Sequence, residues 1–192
     1  MPLNLEPDSA LLIVDVQNDF CPGGSLAVAG GDEVVPILNR YAEEFAAAGR
    51  PVLADRDWHP SRTTHFVQFG GAWPPHCVQG TPGSEYHPGL RLPPKTVHVV
   101  KGMGAEEDAY SCFEARDLSG RSLPDLLAER GIRKLYIGGL ATDYCVKHTT
   151  LDARKAGLEV VVLTDAVRGV NVQPGDADRA LEEMRAAGAT LA

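Results

Sequence analysis

The order of apolar and amphipathic segments restricts the fold of this chain more than any other feature of its sequence. Short runs of apolar, largely β-branched residues alternate with segments in which apolar residues recur at helical spacing. This alternation is typical of βαβ units, whose parallel strands form a sheet covered by helices on both faces. The sequence therefore predicts an α/β fold with three layers, in which a parallel sheet lies between two layers of helices.

The residues that flank these segments indicate where each strand and helix begins and ends. Predicted strands occupy residues 10–16, 51–54, 96–100, 134–138 and 159–163, with a short last strand at 189–191. Helices are predicted to begin at four cap or first-turn positions, which are Asp32, Ser122 or Leu123, Asp143, and Asp176.

A chain of 192 residues, 44% of them hydrophobic, is long enough for one core and too short for two full domains. We therefore expect a single domain over residues 1–192.

Charge and composition narrow the range of partners. The formal net charge of -8 gives a surface that repels phosphate groups, so nucleic acid and anionic membranes are poor partners. The first eight residues carry acid and proline and do not resemble a signal peptide, and no apolar run approaches the roughly 20 residues that span a bilayer. The cysteines lie far apart without a C-x-x-C pair, which fits free thiols in a reducing compartment. We expect a cytoplasmic protein.

Three reactive side chains follow predicted strands at the point where each strand ends. Asp15 lies at the end of the first strand, Lys101 directly after the third, and Cys145 in the first turn of the helix after the fourth. Ligands of open parallel sheets bind outside the carboxyl ends of the strands. A helix N-terminus and a nearby lysine both stabilise a thiolate, and a carboxylate can take up the thiol proton. The three residues therefore form a candidate catalytic group with Cys145 as nucleophile.

Each of these residues also has a purely structural interpretation. An aspartate after a strand is often a loop cap, a lysine there is usually solvated, and a helical cysteine is most often a small core residue. The coincidence of all three at one end of the sheet favours the catalytic interpretation. The turn at residues 138–141 adds to it, because the backbone N–H groups of Ala141 and Cys145 are suited to form an oxyanion hole.

A long segment over residues 55–95 is the second candidate for function. It is rich in proline, glycine, histidine and aromatic residues, shows no sustained periodicity, and is too apolar to stay disordered. Its imidazole and carboxylate groups suit a Zn²⁺ or Fe²⁺ site, and the candidates are Asp57, His59, His65, His76 and, further on, His87. The alternative is that some of these histidines form hydrogen bonds only within the loop, and for His87, which precedes Pro88, we favour that interpretation.

Four motifs together resemble a known family. They are residues 14–26 (VDVQNDFCPGGSL), 57–60 (DWHP), 73–83 (WPPHCVQGTPG) and 139–146 (GLATDYCV). In this order they are similar to the isochorismatase-like cysteine hydrolases, and within them to the members that hydrolyse nicotinamide. The similarity runs from about residue 10 to the last helix.

The resemblance implies a six-stranded parallel sheet of order 3-2-1-4-5-6 and the hydrolysis of nicotinamide to nicotinate and ammonia, a reaction of NAD salvage. It implies that Asp15, Lys101 and Cys145 are the catalytic triad, and that the peptide bond between Leu140 and Ala141 is cis. The remaining site residues that it implies are the metal ligands Asp57, His59 and His76, the pyridine-stacking residues Phe20 and Trp73, and Tyr110 in the pocket wall.

The resemblance also implies one divalent metal ion, with zinc favoured and iron or manganese as alternatives. His65 matches the position of a fourth histidine ligand that some members have and others replace by water. A homo-oligomer is compatible with the family. Two rival functions remain at this point: another amide or carbamoyl hydrolase, which has no need of the Asp57, His59 and His76 set, and a non-catalytic module that keeps the fold. The second rival is disfavoured because no member of the triad is missing.

Overall fold

The computed structural model describes residues 5–192, and residues 1–4, the start of the segment judged unlike a signal peptide, lie outside the described part. Within residues 5–192, six strands and four α-helices follow one another. They are β1 (Ser9–Val14), α1 (Val34–Ala47), β2 (Val52–Asp57), β3 (Val97–Lys101), α2 (Leu123–Glu129), β4 (Lys134–Leu140), α3 (Lys147–Lys155), β5 (Glu159–Arg168), α4 (Asp176–Ala186) and β6 (Thr190–Leu191). In residues 5–192 no helix has the length and apolar character that a bilayer crossing requires.

The strands form one parallel sheet of order β3-β2-β1-β4-β5-β6. The predicted fold class and strand order are thereby confirmed. Strand β1 lies between β2 and β4, so that Leu12 is paired with Leu53 on one side and with Ile137 on the other. The strand order reverses between β1 and β4, and ligands of such sheets bind beside this reversal, at the carboxyl ends.

The side chains of β1 alternate between two cores, one on each face of the sheet. Leu11 and Ile13 belong to the core that α1 covers through residues such as Leu38, and Leu12 and Val14 belong to the core covered by α2, α3 and α4. Every residue of β1 is buried, and each large aliphatic side chain contributes about 1.5–3 kcal/mol by leaving water. The three predicted layers follow from this two-sided burial.

Strand β2 extends further than its apolar pattern predicts. It was expected to end at Ala54, but it continues to Asp57, and Asp55 and Asp57 pair with Val99 and Lys101 of β3. The polar sequence Asp-Arg-Asp lacks the apolar pattern by which a buried strand is predicted. Its aspartates are nevertheless buried, because they contact a buried cation instead of solvent. The long loop therefore begins after Asp57, and the first residues of its expected range belong to the sheet.

Side chains from the β1 end hold the long loop in place. The amide of Gln17 accepts from the backbone N–H of Asp57 and donates to the carbonyl oxygens of Asp57 and Ser84, each at 2.8 Å. A carboxylate oxygen of Asp19 accepts from the backbone N–H of Cys77 at 2.8 Å. The buried ring of Phe66 anchors the loop from within. As expected from its aromatic content, the segment is ordered.

Candidate active site

Lys101 lies at the carboxyl end of β3 with its ammonium group among three carboxyl groups. Its Nζ is 2.6 and 2.7 Å from the two carboxylate oxygens of Asp15, 2.7 Å from Oδ1 of Asp57 and 2.9 Å from Oδ2 of Asp55. All four side chains are buried. Asp55 and Asp57 share one face of β2 because successive side chains of a strand alternate, and Asp15 follows β1 next to them.

The cluster raises the pKa of both Asp15 and Lys101, for different reasons. Burial raises the pKa of Asp15 well above its usual range, and the negative charge of Asp57 adds to this effect against the pull of Lys101. Burial alone would lower the pKa of Lys101, but the carboxylates of Asp15, Asp55 and Asp57 outweigh it and hold that pKa well above its ordinary value. Lys101 is therefore a permanent cation, whereas Asp15 is able to carry a proton.

Cys145 lies beside this cluster in the π-helical turn Thr142–Val146, which precedes α3. Its Sγ and one carboxylate oxygen each of Asp15 and Asp57 lie within 4.8 Å of one another. Burial and the charge of Asp15 raise the pKa of the Cys145 thiol, and they outweigh Lys101, which acts in the opposite direction. Burial and Asp15 therefore act against the thiolate, and Lys101 favours it. The geometry pairs a neutral thiol with a carboxyl group that can accept its proton.

The end of β4 brings the backbone next to Cys145. The Leu140–Ala141 peptide bond is cis, as expected, and Ala141 and Cys145 both line the cavity described below. Gly139 has φ +128°, and a Cβ at this residue would lie 2.0 Å from the carbonyl oxygen of Val14. Glycine is required here, because only a residue without a side chain lets the end of β4 approach β1 so closely.

The predicted metal ligands converge next to the Lys101 cluster. His59, His65 and His76 each offer a ring nitrogen within 4.8 Å of the others, and all three are buried. The second carboxylate oxygen of Asp57, Oδ2, lies 3.5 Å from Nε2 of His59 and 4.0 Å from Nε2 of His76. Within residues 5–192 the buried Nε2 of His59 has no hydrogen-bond partner. An unpaired buried nitrogen aimed at a carboxylate is what a metal ligand requires.

The protonation states also fit a divalent metal ion. Burial lowers the pKa of His65, and it lowers that of His76 to about 4, so that both rings are neutral near pH 7. Burial would raise the pKa of Asp57, but Lys101 and His59 outweigh it and keep the carboxylate ionised. Imidazole nitrogens together with one carboxylate suit Zn²⁺, Fe²⁺ or Mn²⁺. His87 is not part of this group, and its Nδ1 accepts from the backbone N–H of Gly89, the local bond that we favoured for it.

A small cavity opens onto Cys145, His65 and His76. The predicted residues Phe20, Trp73 and Tyr110 line it. Trp73 and Tyr110 are joined, because the indole Nε1 donates a 2.8 Å hydrogen bond to the Tyr110 hydroxyl. The other lining residues are Leu26, Asp57, His65, His76, Asp108, Ala141, Tyr144, Cys145 and Val170.

The sequence did not single out Asp55, Asp108 or Tyr144. Asp55 is at i−2 from Asp57, and the alternation of a strand would have placed it beside Asp57 if β2 had been predicted to its full length. Asp108 lies in an irregular segment and Tyr144 in the π-helical turn, and no periodicity of the sequence predicts that either side chain reaches the cavity. We find the ring of Tyr144 edge-on to Trp73 at 4.9 Å.

The fold and the side chains gathered at the carboxyl end of the sheet identify the protein as an α/β enzyme. The Isochorismatase domain family matches residues 9–192, and the chain belongs to this family. Its sequence is 43% identical to the nicotinamidase of Escherichia coli, over 96% of this chain and 94% of that protein. It is 44% identical to the nicotinamidase/pyrazinamidase of Mycobacterium tuberculosis, over 95% of this chain and 97% of that protein.

A solved structure agrees with these relatives. The pyrazinamidase of Pyrococcus horikoshii, determined in complex with zinc, superposes with a TM-score of 0.89. It is 44% identical in sequence, and the similarity covers 97% of this chain and 99% of that chain. The likeness extends over nearly the whole chain.

Proposed function

We propose that this protein hydrolyses nicotinamide to nicotinate and ammonia, with Cys145 as the nucleophile and one divalent metal ion held by Asp57, His59, His65 and His76. One observation carries the proposal: a buried thiol and a buried imidazole–carboxylate cluster open onto the same small cavity, with Asp57 common to both. The similarity to nicotinamidases over nearly the whole chain supports it.

The cavity walls suit a flat heteroaromatic ring. Phe20 and Trp73 offer aromatic surfaces, and Tyr110 fixes the indole of Trp73 through the hydrogen bond between them. Asp57, His59, His65 and His76 would hold the metal ion, which would supply Lewis acidity toward the nitrogen of the ring. With the ring nitrogen at the histidines, the carboxamide is turned toward Cys145.

In the first half of the proposed reaction, the Cys145 thiol gives its proton to Asp15 as its sulfur bonds to the carboxamide carbon. The resulting oxyanion accepts hydrogen bonds from the backbone N–H groups of Ala141 and Cys145. Asp15 then passes the proton to the amide nitrogen, the C–N bond breaks, and ammonia leaves. The fixed charge of Lys101 holds the Asp15 carboxyl group in the position where both transfers occur.

In the second half, water attacks the thioester carbon and gives one proton to Asp15. The C–S bond breaks, nicotinic acid leaves and gives its carboxyl proton to solvent to become nicotinate, and Asp15 returns its own proton to the Cys145 sulfur. The site is then in its starting state. Asp15 acts as base and acid in turn, which suits a carboxyl group whose pKa is raised by burial.

An ammonia-release assay on matched substrates tests the proposal. Nicotinamide is compared with benzamide, which has the same shape without the ring nitrogen, and with an N-carbamoyl amino acid. We expect benzamide to be a poorer substrate by about 100-fold or more, since a site built to bind a polar atom rejects an analogue without it. Equal turnover of nicotinamide and benzamide would remove the role of the ring nitrogen. Preference for the carbamoyl substrate would favour the rival carbamoyl hydrolase.

Two cysteine variants test the nucleophile. Cys145→Ala is expected to bind nicotinamide without releasing ammonia. Cys21→Ala is the matched control, because Cys21 is also a buried free thiol but does not line the cavity. Ammonia release by Cys145→Ala at the rate of the Cys21→Ala control would exclude Cys145 as the nucleophile.

A further inference from the structure

The three histidines of the candidate metal site are held through their second ring nitrogens in two different ways. Nδ1 of His59 lies 3.1 Å from the carbonyl oxygen of Gly102, and Nδ1 of His76 lies 2.8 Å from that of Pro74. Nδ1 of His65 instead meets a carboxylate oxygen of Asp108, at 2.9 Å. His65 is thus the one member of this trio that depends on a charged side chain for its orientation.

Asp108 reaches His65 from a separate part of the chain, the segment of residues 102–110 that follows β3. Its side chain is 69% exposed, whereas that of His65 is 4% exposed. The same segment contacts the residue before His65, since the carbonyl oxygen of Ala105 accepts from both the backbone N–H and the hydroxyl of Thr64. The segment is therefore attached to the histidine loop at two points, one by backbone and one by side chain.

The segment also forms part of the cavity wall. Two residues after Asp108, the hydroxyl of Tyr110 accepts the hydrogen bond from Trp73, and the Tyr110 ring packs edge-on against His65 at 5.6 Å. Between them, the buried residue Ala109 has a left-handed backbone with φ +50°. The position of Asp108 is thereby linked to the position of the aromatic wall.

We propose that Asp108 is a positioning residue for the metal ion: it holds Nδ1 of His65 as a donor, so that Nε2 of His65 faces the centre shared with His59 and His76. A carboxylate behind a metal-bound imidazole fixes the ring, selects its tautomer and increases its basicity as a ligand. This inference rests on the proposed metal-dependent function and adds to it a residue that determines how tightly the metal is held.

The acidic sequence around Asp108 supplies a matched control. Glu106 is two residues away, carries the same charge and is exposed, and among residues 5–192 its side chain forms no hydrogen bond or ion pair. Glu106→Gln therefore removes one negative charge from the segment without touching His65. Asp108→Asn removes the charge but keeps an oxygen that can accept from Nδ1, and Asp108→Ala removes both.

The experiment is a competition titration of the metal-free protein and its variants with Zn²⁺ against a chromophoric chelator, with a thermal melt to verify folding. We expect the Kd for zinc to rise about 10- to 100-fold in Asp108→Ala and by less in Asp108→Asn, with no change in Glu106→Gln. At saturating zinc, kcat of Asp108→Ala should recover most of its loss, because Asp108 acts through metal binding.

Two results would overturn the inference. One is an unchanged Kd for zinc in Asp108→Ala. The other is an equal rise in Asp108→Ala and Glu106→Gln, which would assign the effect to the overall charge of the segment. Both leave the proposed function intact as long as the unaltered protein binds zinc and releases ammonia. An unaltered protein that binds no zinc and is fully active would overturn the proposed metal dependence together with the inference.

Discussion

Asp57 and Lys101 share a 2.7 Å contact between Oδ1 and Nζ, while Oδ2 of the same Asp57 carboxylate faces the histidines. One carboxylate thus borders both the cluster around Cys145 and the candidate metal site. The pairing of β2 with β3 explains this arrangement, because it places Asp57 directly beside Lys101. The sheet itself therefore fixes Asp57, the residue common to both halves of the proposed chemistry, beside Lys101.

The double role of Asp57 predicts a double loss in Asp57→Asn. The amide keeps the shape but lacks the charge that both Lys101 and a metal ion require. We expect the Kd for zinc to rise at least about 10-fold, and ammonia release to stay impaired even at saturating zinc. Zinc titration and the ammonia assay measure the two effects. Asp165→Asn, which changes a carboxylate paired with Arg40 at the surface, is the control. Full recovery of activity by added zinc would contradict the role of Asp57 toward Lys101.

Lys101→Met is predicted to destabilise the fold. Removing the ammonium leaves the buried carboxylates of Asp15, Asp55 and Asp57 without their common partner, and breaking a buried ion pair from one side costs about 3–5 kcal/mol. Urea unfolding of the metal-free protein measures the change. The control is Lys134→Met, because Lys134 pairs with Glu6 nearer the surface, where such pairs contribute at most about 1 kcal/mol. Equal destabilisation by both variants would contradict the assignment of Lys101 as the charge that holds the cluster.

Gly139→Ala is predicted to disturb both folding and activity. Its Cβ would collide with the backbone of Val14, and the collision can only be relieved by moving the end of β4, which leads directly into Ala141. Gly23→Ala is the control, since Gly23 also has a positive φ, +93°, but nothing lies within 4 Å of its Cβ position. We expect about 1–2 kcal/mol of destabilisation in Gly23→Ala from backbone conformation and a clearly larger loss in Gly139→Ala, measured by urea unfolding. A smaller loss in Gly139→Ala than in Gly23→Ala would contradict the close approach of the two strands.

Much of the fold could be predicted because burial on both faces makes the strands continuous apolar runs. The runs that became β1, β4 and β5 are unambiguous, and their carboxyl ends bring Asp15 and the Cys145 turn together by topology alone. The errors concern strand ends. Asp55 and Asp57 read as loop residues because a strand that ends in charged side chains is recognised only when the buried partner, Lys101, is known.

The cavity could be predicted only in part, for a physical reason. His59 and His76 belong to motifs that mark them, whereas the contact between His65 and Asp108 joins two irregular segments whose paths no periodicity determines. The protonation state of Cys145 was also beyond the sequence, because it depends on the balance between burial, Asp15 and Lys101. Such a balance depends on the distances between these groups, and the sequence does not give those distances.

The most direct test of the central claim is to stop the reaction during turnover with acid and to map the protein by peptide mass spectrometry. The proposed mechanism predicts a nicotinoyl group on the peptide that contains Cys145, absent from the peptides of Cys21, Cys77 and Cys112 and absent from Cys145→Ala. Undiminished ammonia release by Cys145→Ala, or a nicotinoyl group on another residue of the active protein, would contradict the claim that Cys145 is the nucleophile.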